Sequence, residues 1–151
     1  MSFKEFNKDI KIGIIGSNIF LYGEEGFLTD WAVKTIIENN SSEAERKYVV
    51  TDLDGESVSA QEIVETANTM TMFASTRVLT VKNYPPLIKK SAVTETAPIL
   101  EYLSNPNSST ILIFYIEPLH SPGKKEKLNA FATKVAAACS TYNFDRLNSA
   151  E

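Results

Sequence analysis

The chain has 151 residues, of which 43% are hydrophobic and 23% charged, and its formal net charge is −4 at pH 7. This composition is typical of one globular domain and excludes a disordered or fibrous protein. The longest apolar run, residues 111–116, is too short to span a membrane, residues 1–11 are mostly polar, and the single cysteine, Cys139, fits a reducing compartment. We therefore expect a cytoplasmic domain without a membrane segment or secretion signal.

Strand and helix patterns alternate along the first half of the chain. Residues 3–10 are typical of a short helix, and residues 18–22 (NIFLY) of a central strand. Residues 47–52 (KYVVTD) predict a second strand and residues 77–82 (RVLTVK) a third. The helix between the first two strands has an apolar side formed by Phe27, Leu28, Trp31, Ala32, Thr35 and Ile36.

Residues 59–70 predict an amphipathic helix between the second and third strands. Ser59 and Glu62 have the spacing of a capping box, which fixes the helix start. The apolar residues recur at intervals of three and four, and they are Ala60, Ile63, Val64, Ala67 and Met70.

Met72 and Phe73 follow this helix without belonging to its apolar stripe. At about 100° per residue, a continued helix would turn both side chains towards its polar side. That side carries Gln61, Glu62, Glu65 and Asn68. Two interpretations stay open: the pair contacts a partner, or the helix ends at Met70 and both side chains return to the core, where most Met and Phe residues lie.

The second half continues the alternation. Residues 91–97 predict a loop or a frayed helix start, and Pro98 suits the first turn of a helix that Asn105 and Pro106 end. Residues 110–116 (TILIFYI) are typical of a strand buried on both faces of a parallel sheet, and residues 138–144 of a last strand. The helix between them has an inward face formed by Leu128, Phe131, Ala132 and Val135. We predict an α/β fold with three α/β/α layers and a mostly parallel five-stranded sheet.

The turn after the first strand decides whether the domain can hold a nucleotide as P-loop proteins do. Such a loop requires G-x-x-x-x-G-K-[ST], but residues 22–26 read YGEEG. The lysine is missing, and Glu24 and Glu25 would repel phosphates at the start of the helix. The sequence therefore argues against ATP hydrolysis and predicts no cofactor.

Asp52 and Asp54 come at the end of the second predicted strand, where carboxylates can bind magnesium or accept a phosphoryl group. A response-regulator receiver also requires a lysine after the fifth strand, and here Lys82 follows the third instead. A turn before Gly55 is the preferred interpretation. The single histidine, His120, has no nucleophile at a defined spacing, so we predict neither a catalytic residue nor a metal ligand.

Four segments have a recognisable order and spacing. They are FLYGEEGFL (20–28), EIVETANTMTMFASTRVLTVKN (62–83), LEYLSNPNSSTILIF (100–114) and the lysine-rich start of the last helix. Together they resemble the N-terminal domain of the delta subunit of the bacterial DNA polymerase III clamp loader. The resemblance implies a fold similar to AAA+ and P-loop NTPases without a functional phosphate loop. It further implies a non-catalytic domain at residues 1–143, with residues 144–151 starting a linker to a lid domain absent from this chain.

The resemblance also implies a partner and a site. In this family the delta subunit binds the ring-shaped sliding clamp (the beta subunit) and helps to open the ring, or hold it open, during loading onto primed DNA in replication. It does so through a helix and an adjoining hydrophobic pair, which corresponds here to Met72 and Phe73, flanked by Met70, Ala74 and Ser75. Methionine replaces the family's leucine, a nearly volume-conserving change. Other loader subunits would bind through C-terminal domains, and DNA only in the assembled loader.

Two other functions stay open beside this one. The first is an atypical nucleotide-handling α/β enzyme, and the second is a direct DNA-binding module. The DNA-binding module would use two lysine groups, which are Lys82, Lys89 and Lys90, and Lys124, Lys125 and Lys127. The negative net charge argues against it, and a solvated surface is the simpler interpretation of both groups.

Overall fold

The computed structural model describes residues 3–13, 15–69, 76–88, 96–117 and 128–144, and a parallel five-stranded sheet forms the centre of this part of the chain. The strands are β1 (Asn18–Tyr22), β2 (Val50–Asp54), β3 (Arg77–Lys82), β4 (Thr110–Tyr115) and β5 (Ser140–Asn143). Their order in the sheet is β2-β3-β4-β1-β5, and each neighbouring pair is parallel.

Helices connect the strands. They are α1 (Phe3–Ile12), α2 (Gly26–Asn40), α3 (Arg46–Val49), α4 (Ala60–Asn68), α5 (Pro85–Ile88), α6 (Ala97–Ser104) and α7 (Ala130–Ala138). None of the helices in the described ranges is long and apolar enough to cross a membrane.

Two layers of helices cover the two faces of the sheet. On one face, α4, α5, α6 and α7 pack against strand residues that include Phe20 and Leu79. On the other face, α1 and α2 pack against Ile19 and Val78. Neighbouring residues of one strand therefore enter opposite layers, and burying each such side chain stabilises the fold by about 1.5–3 kcal/mol. The predicted three-layer fold with a mostly parallel sheet is confirmed.

The N-terminal helix α1 packs against β5. The ring of Phe6 lies edge-to-face with Tyr142 and Phe144, at centroid distances of 5.1 and 5.7 Å. The Tyr142 hydroxyl donates a hydrogen bond of 2.7 Å to Asp9 Oδ2. Burial, together with this bond to a carboxylate, raises the pKa of Tyr142.

Part of the second predicted strand is helical. Residues 47–49 lie in the single turn α3, and β2 begins only at Val50, so the prediction of a strand from residue 47 is wrong. The Glu45 carboxylate accepts hydrogen bonds from the amide and hydroxyl of Ser42, while the Glu45 carbonyl accepts from the amides of Tyr48 and Val49. These bonds stabilise a helical turn over the strand preference of Tyr48 and Val49.

Phe27 does not share the buried side of α2. Its side chain is 79% exposed, whereas Leu28, Ala32 and Ile36 are buried, so its place on the apolar side was wrongly predicted. One turn further along, Trp31 is covered by Phe3 and Phe6 of α1. The contact with α1 therefore explains why an aromatic residue at position 31 is partly buried, whereas Phe27 is exposed.

Candidate functional site

The helix α4 begins where the capping-box spacing predicts. Ser59 is the N-cap, and its Oγ accepts a hydrogen bond of 3.1 Å from the Glu62 amide. The predicted faces are confirmed as well: Ile63 and Ala67 are buried against the core, and Gln61 and Glu65 are exposed. The polar face of α4 is therefore exposed to solvent.

The helix ends two residues before Met70, which corrects the predicted end. Its last residue is Asn68, and Thr69 is extended (φ −73°, ψ 128°) with its amide donating to the Thr66 carbonyl at 3.2 Å. The helical rotation of about 100° per residue therefore ends at Asn68.

Two side chains from another part of the chain cap the end of α4. The carbonyl oxygen of Ala67 accepts a hydrogen bond of 2.6 Å from the Thr110 hydroxyl and one of 3.2 Å from Asn107 Nδ2. In a longer helix, this carbonyl would accept from the amide four residues further on. The side-chain bonds satisfy it instead.

The start of β3 is held by the same short stretch, residues 107–110, which we name the anchor segment. The Arg77 amide donates to the Ser109 carbonyl at 2.8 Å, and Arg77 is the register partner of Thr110. The end of α4 and the start of β3 flank residues 70–75 in the sequence. The anchor segment therefore holds both of them.

The predicted site residues Met70, Met72, Phe73, Ala74 and Ser75 lie outside the described residues. Asn107 and Thr110, which bind the end of α4, were not singled out by the sequence, although both belong to the segment LEYLSNPNSSTILIF that carries the family resemblance. A run of Asn, Pro and Ser indicates only a turn.

A groove of about 460 Å³ lies at the surface between α4 and α6, next to the capped helix end. Its lining mixes polar and apolar side chains, and burial raises the pKa of Tyr102 on its α6 side. The lining residues are Val64, Asn68, Pro98, Glu101, Tyr102, Ser104 and Asn105.

The turn where a P-loop protein holds phosphate is filled by the chain itself. The Glu25 amide donates to the Phe144 carbonyl at 2.9 Å, and the Phe144 amide donates to the Tyr22 carbonyl at 2.7 Å. Gly23 has φ +139° and lies against the Phe144 backbone. The Glu25 amide, which could otherwise face a phosphate at the start of α2, is therefore already used.

Asp52, Asp54 and Lys82, which the sequence analysis also considered, lie towards the carboxyl ends of β2 and β3. Asp54 Oδ1 accepts from the Glu56 amide at 3.0 Å, as expected for a turn, and Asp52 accepts from the Thr80 hydroxyl at 2.5 Å. Lys82 pairs with Glu117 at 3.8 Å. In the part of the chain that the structure describes, no cluster of three or more His, Cys, Asp or Glu residues could hold a metal ion. His120 and the lysines Lys89, Lys90, Lys124, Lys125 and Lys127 lie outside the described residues.

Comparison with known proteins gives a consistent result. The sequence matches the family model of the DNA polymerase III delta subunit over residues 20–140. The structure resembles the DNA clamp loader delta protein of Bacillus subtilis, with a TM-score of 0.79 and 19% identity, covering 97% of this chain and 43% of that one. It also resembles a DNA polymerase III gamma subunit-related protein of Thermotoga maritima, with a TM-score of 0.56 and 13% identity, covering 97% of this chain and 46% of that one.

These identities are too low to show more than the fold. This chain spans less than half the length of both solved structures. The comparison with curated proteins finds no match.

Proposed function

The chain belongs to the DNA polymerase III delta subunit family, and we propose that it is the clamp-binding domain of such a subunit. In this role it binds the sliding clamp and helps to open the ring, or hold it open, while the clamp is loaded onto primed DNA. It is a non-catalytic part of the cytoplasmic polymerase holoenzyme and needs no cofactor. Contacts with other loader subunits belong to other domains of the subunit, and contact with DNA belongs to the assembled loader.

The position of Met72 and Phe73 carries this proposal. They lie within the family match, in the eight residues (69–76) between the end of α4 at Asn68 and the start of β3 at Arg77. In the sequence, the exposed polar face of α4 ends four residues before Met72, so a partner that binds the apolar pair should also meet Glu65 and Asn68. An apolar centre with a polar rim is the usual arrangement of a protein interface.

The binding energy of the pair is sufficient for a small interface. Burying each side chain in a pocket contributes about 1.5–3 kcal/mol, and a few such residues dominate most interfaces. The ring opens only if the pocket binds the pair more tightly in the open form than in the closed one. A difference of about 1.4 kcal/mol between the two binding free energies shifts the ratio of open to closed rings tenfold.

The test is a Met72→Ala, Phe73→Ala double variant in a binding assay with the sliding clamp of the same organism. We expect affinity to fall by about 100-fold or more, because at least about 3 kcal/mol of burial is lost. Phe27→Ala is the matched control, since Phe27 is an exposed aromatic residue on α2, in the opposite helix layer from α4. An unchanged affinity in the double variant would reject the proposed site.

Replacing Met72 by leucine separates volume from chemistry at this position. The two side chains have nearly the same volume, so Met72→Leu should keep the affinity within about threefold of the wild type. A loss as large as that of Met72→Ala would instead mean that the pocket requires the thioether.

A further inference from the structure

The Thr110 hydroxyl joins the start of β4 to the end of α4 across 43 residues of sequence. Thr110 is 1% exposed, and its hydroxyl lies 2.6 Å from the Ala67 carbonyl. Asn107 Nδ2 makes a second bond to the same oxygen. A buried hydrogen bond of this kind is costly to break, because the carbonyl cannot recover the loss from water.

The anchor segment is itself held in one conformation. Asn107 Oδ1 accepts from the Ser109 amide at 3.0 Å, and its carbonyl accepts from the Thr110 amide at 3.1 Å. The Asn107 amide donates to the Tyr102 hydroxyl at 3.3 Å. The turn therefore holds the Ser109 carbonyl, which binds the Arg77 amide, in a fixed relation to the side chains that bind Ala67.

We propose that Asn107 and Thr110 are positioning residues for clamp binding: by fixing the end of α4 relative to the start of β3, they set the geometry in which Met72 and Phe73 are presented. The inference rests on the proposed function. Holding both ends of a short segment removes conformations that binding would otherwise have to remove, which increases affinity without adding a contact.

Thr110→Val tests the bond with little change of shape. We expect the dissociation constant for the clamp to rise about fivefold or more. The matched control is Thr80→Val, which removes another buried threonine hydroxyl, the one bound to Asp52 on the neighbouring strand. If both variants lower the melting temperature but only Thr110→Val weakens binding, the loss of affinity comes from the positioning role of Thr110 and not from a general loss of stability. An equal loss of affinity in both variants would reject the proposal.

Combining variants distinguishes this inference from the proposed function. In the Met72→Ala, Phe73→Ala background, Thr110→Val should produce no further loss, because it acts through that pair. If the double variant weakens binding but Thr110→Val does not, the positioning role is wrong and the clamp site stands. If the double variant itself binds normally, the clamp site is wrong.

Proteolysis tests the positioning without the clamp. Phe73 is a chymotrypsin site by sequence. Thr110→Val should speed cleavage there well below the melting temperature, whereas Thr80→Val should not. Asn107→Ala removes the second bond to Ala67 from a less buried position, and it provides the same measurement if Thr110→Val does not fold. Unchanged cleavage at Phe73 in a folded variant would overturn the inference.

Discussion

A Cβ atom on Gly23 would lie 2.3 Å from the carbonyl oxygen of Phe144. Gly23 follows β1 and Phe144 follows β5, and these neighbouring strands end side by side. The backbone of Phe144 therefore occupies the space beside the turn that would hold phosphate in a P-loop protein. The turn at residues 22–25 therefore packs against the end of β5.

Gly23→Ala should destabilise the domain by about 2–4 kcal/mol, since the side chain meets both a positive φ and a backbone clash. Gly13→Ala is the control, because Gly13 also has a positive φ (+75°) but has nothing within 4 Å of a Cβ atom. Its cost should be about 1 kcal/mol. Urea unfolding measures both values, and an equal loss would show that backbone strain, not contact with Phe144, dominates at Gly23.

Millimolar ATP with magnesium should leave the melting temperature of the domain unchanged. A ligand that binds the folded state raises this temperature in proportion to the logarithm of its concentration. Because the Glu25 amide already binds the Phe144 carbonyl, the turn offers few donors to a phosphate. A rise that grows with ATP concentration would restore the nucleotide-handling alternative.

Ser59→Ala should cost about 1 kcal/mol of stability, because it removes the side-chain acceptor for the Glu62 amide at the start of α4. Ser104→Ala is the control, since the Ser104 hydroxyl only donates back to the Glu101 carbonyl at the end of α6. That change should stay within about 0.5 kcal/mol. Denaturant unfolding would contradict the capping role if the two losses were the same.

Local signals predicted much of the fold. The bounds of β1 and β3 agree with the sequence, because compact β-branched and aromatic runs bounded by polar residues indicate strands strongly. The start of α4 was predicted because its cap lies within three residues of the residue it serves. The turn α3 was missed because the local hydrogen bonds between Ser42 and Glu45, just before it, compete with strand propensity.

Contacts between distant residues explain what the sequence did not predict. The end of α4 depends on Thr110 and Asn107, about 40 residues further on. The conformation of the turn at Gly23 depends on the backbone of Phe144, which is near the other end of the sequence. Periodicity carries no information about such pairs. The clamp-binding role of Met72 and Phe73 stays a prediction, since both lie outside the described residues.

Cys139 should react slowly with iodoacetamide in the native protein. Burial raises the pKa of its thiol to about 12 from an ordinary 9.0. Only the thiolate reacts, so the reactive fraction at pH 8 should be much lower than in the unfolded chain. The control is the same protein in urea, where the rate should be that of a free cysteine. Equal rates in the two states would contradict the half-buried position of Cys139 and its raised pKa.

Alkaline pH should destabilise the domain in part through Tyr142. Burial and the bond to Asp9 raise its pKa in the folded state, so the unfolded chain loses this proton first, from about pH 10.0 upward. The stability that Tyr142 contributes is therefore fully present below that pH and is lost above it.

Tyr142→Phe tests whether Tyr142 loses its stabilising effect as the pH rises. Both proteins in the comparison carry Cys139→Ala, because the Cys139 thiol would otherwise titrate in the same pH range. At pH 7 the Tyr142→Phe variant should be less stable by about 1–2 kcal/mol, because the hydroxyl bond to Asp9 is lost. Above pH 10 the difference between the two proteins should shrink, since only the protein that keeps Tyr142 loses stability by ionisation at this position. The other tyrosines with raised pKa values, Tyr102 and Tyr115, are present in both proteins and cancel. Urea unfolding at pH 7 and pH 10.5 measures the difference, and a difference independent of pH would contradict the raised pKa of Tyr142.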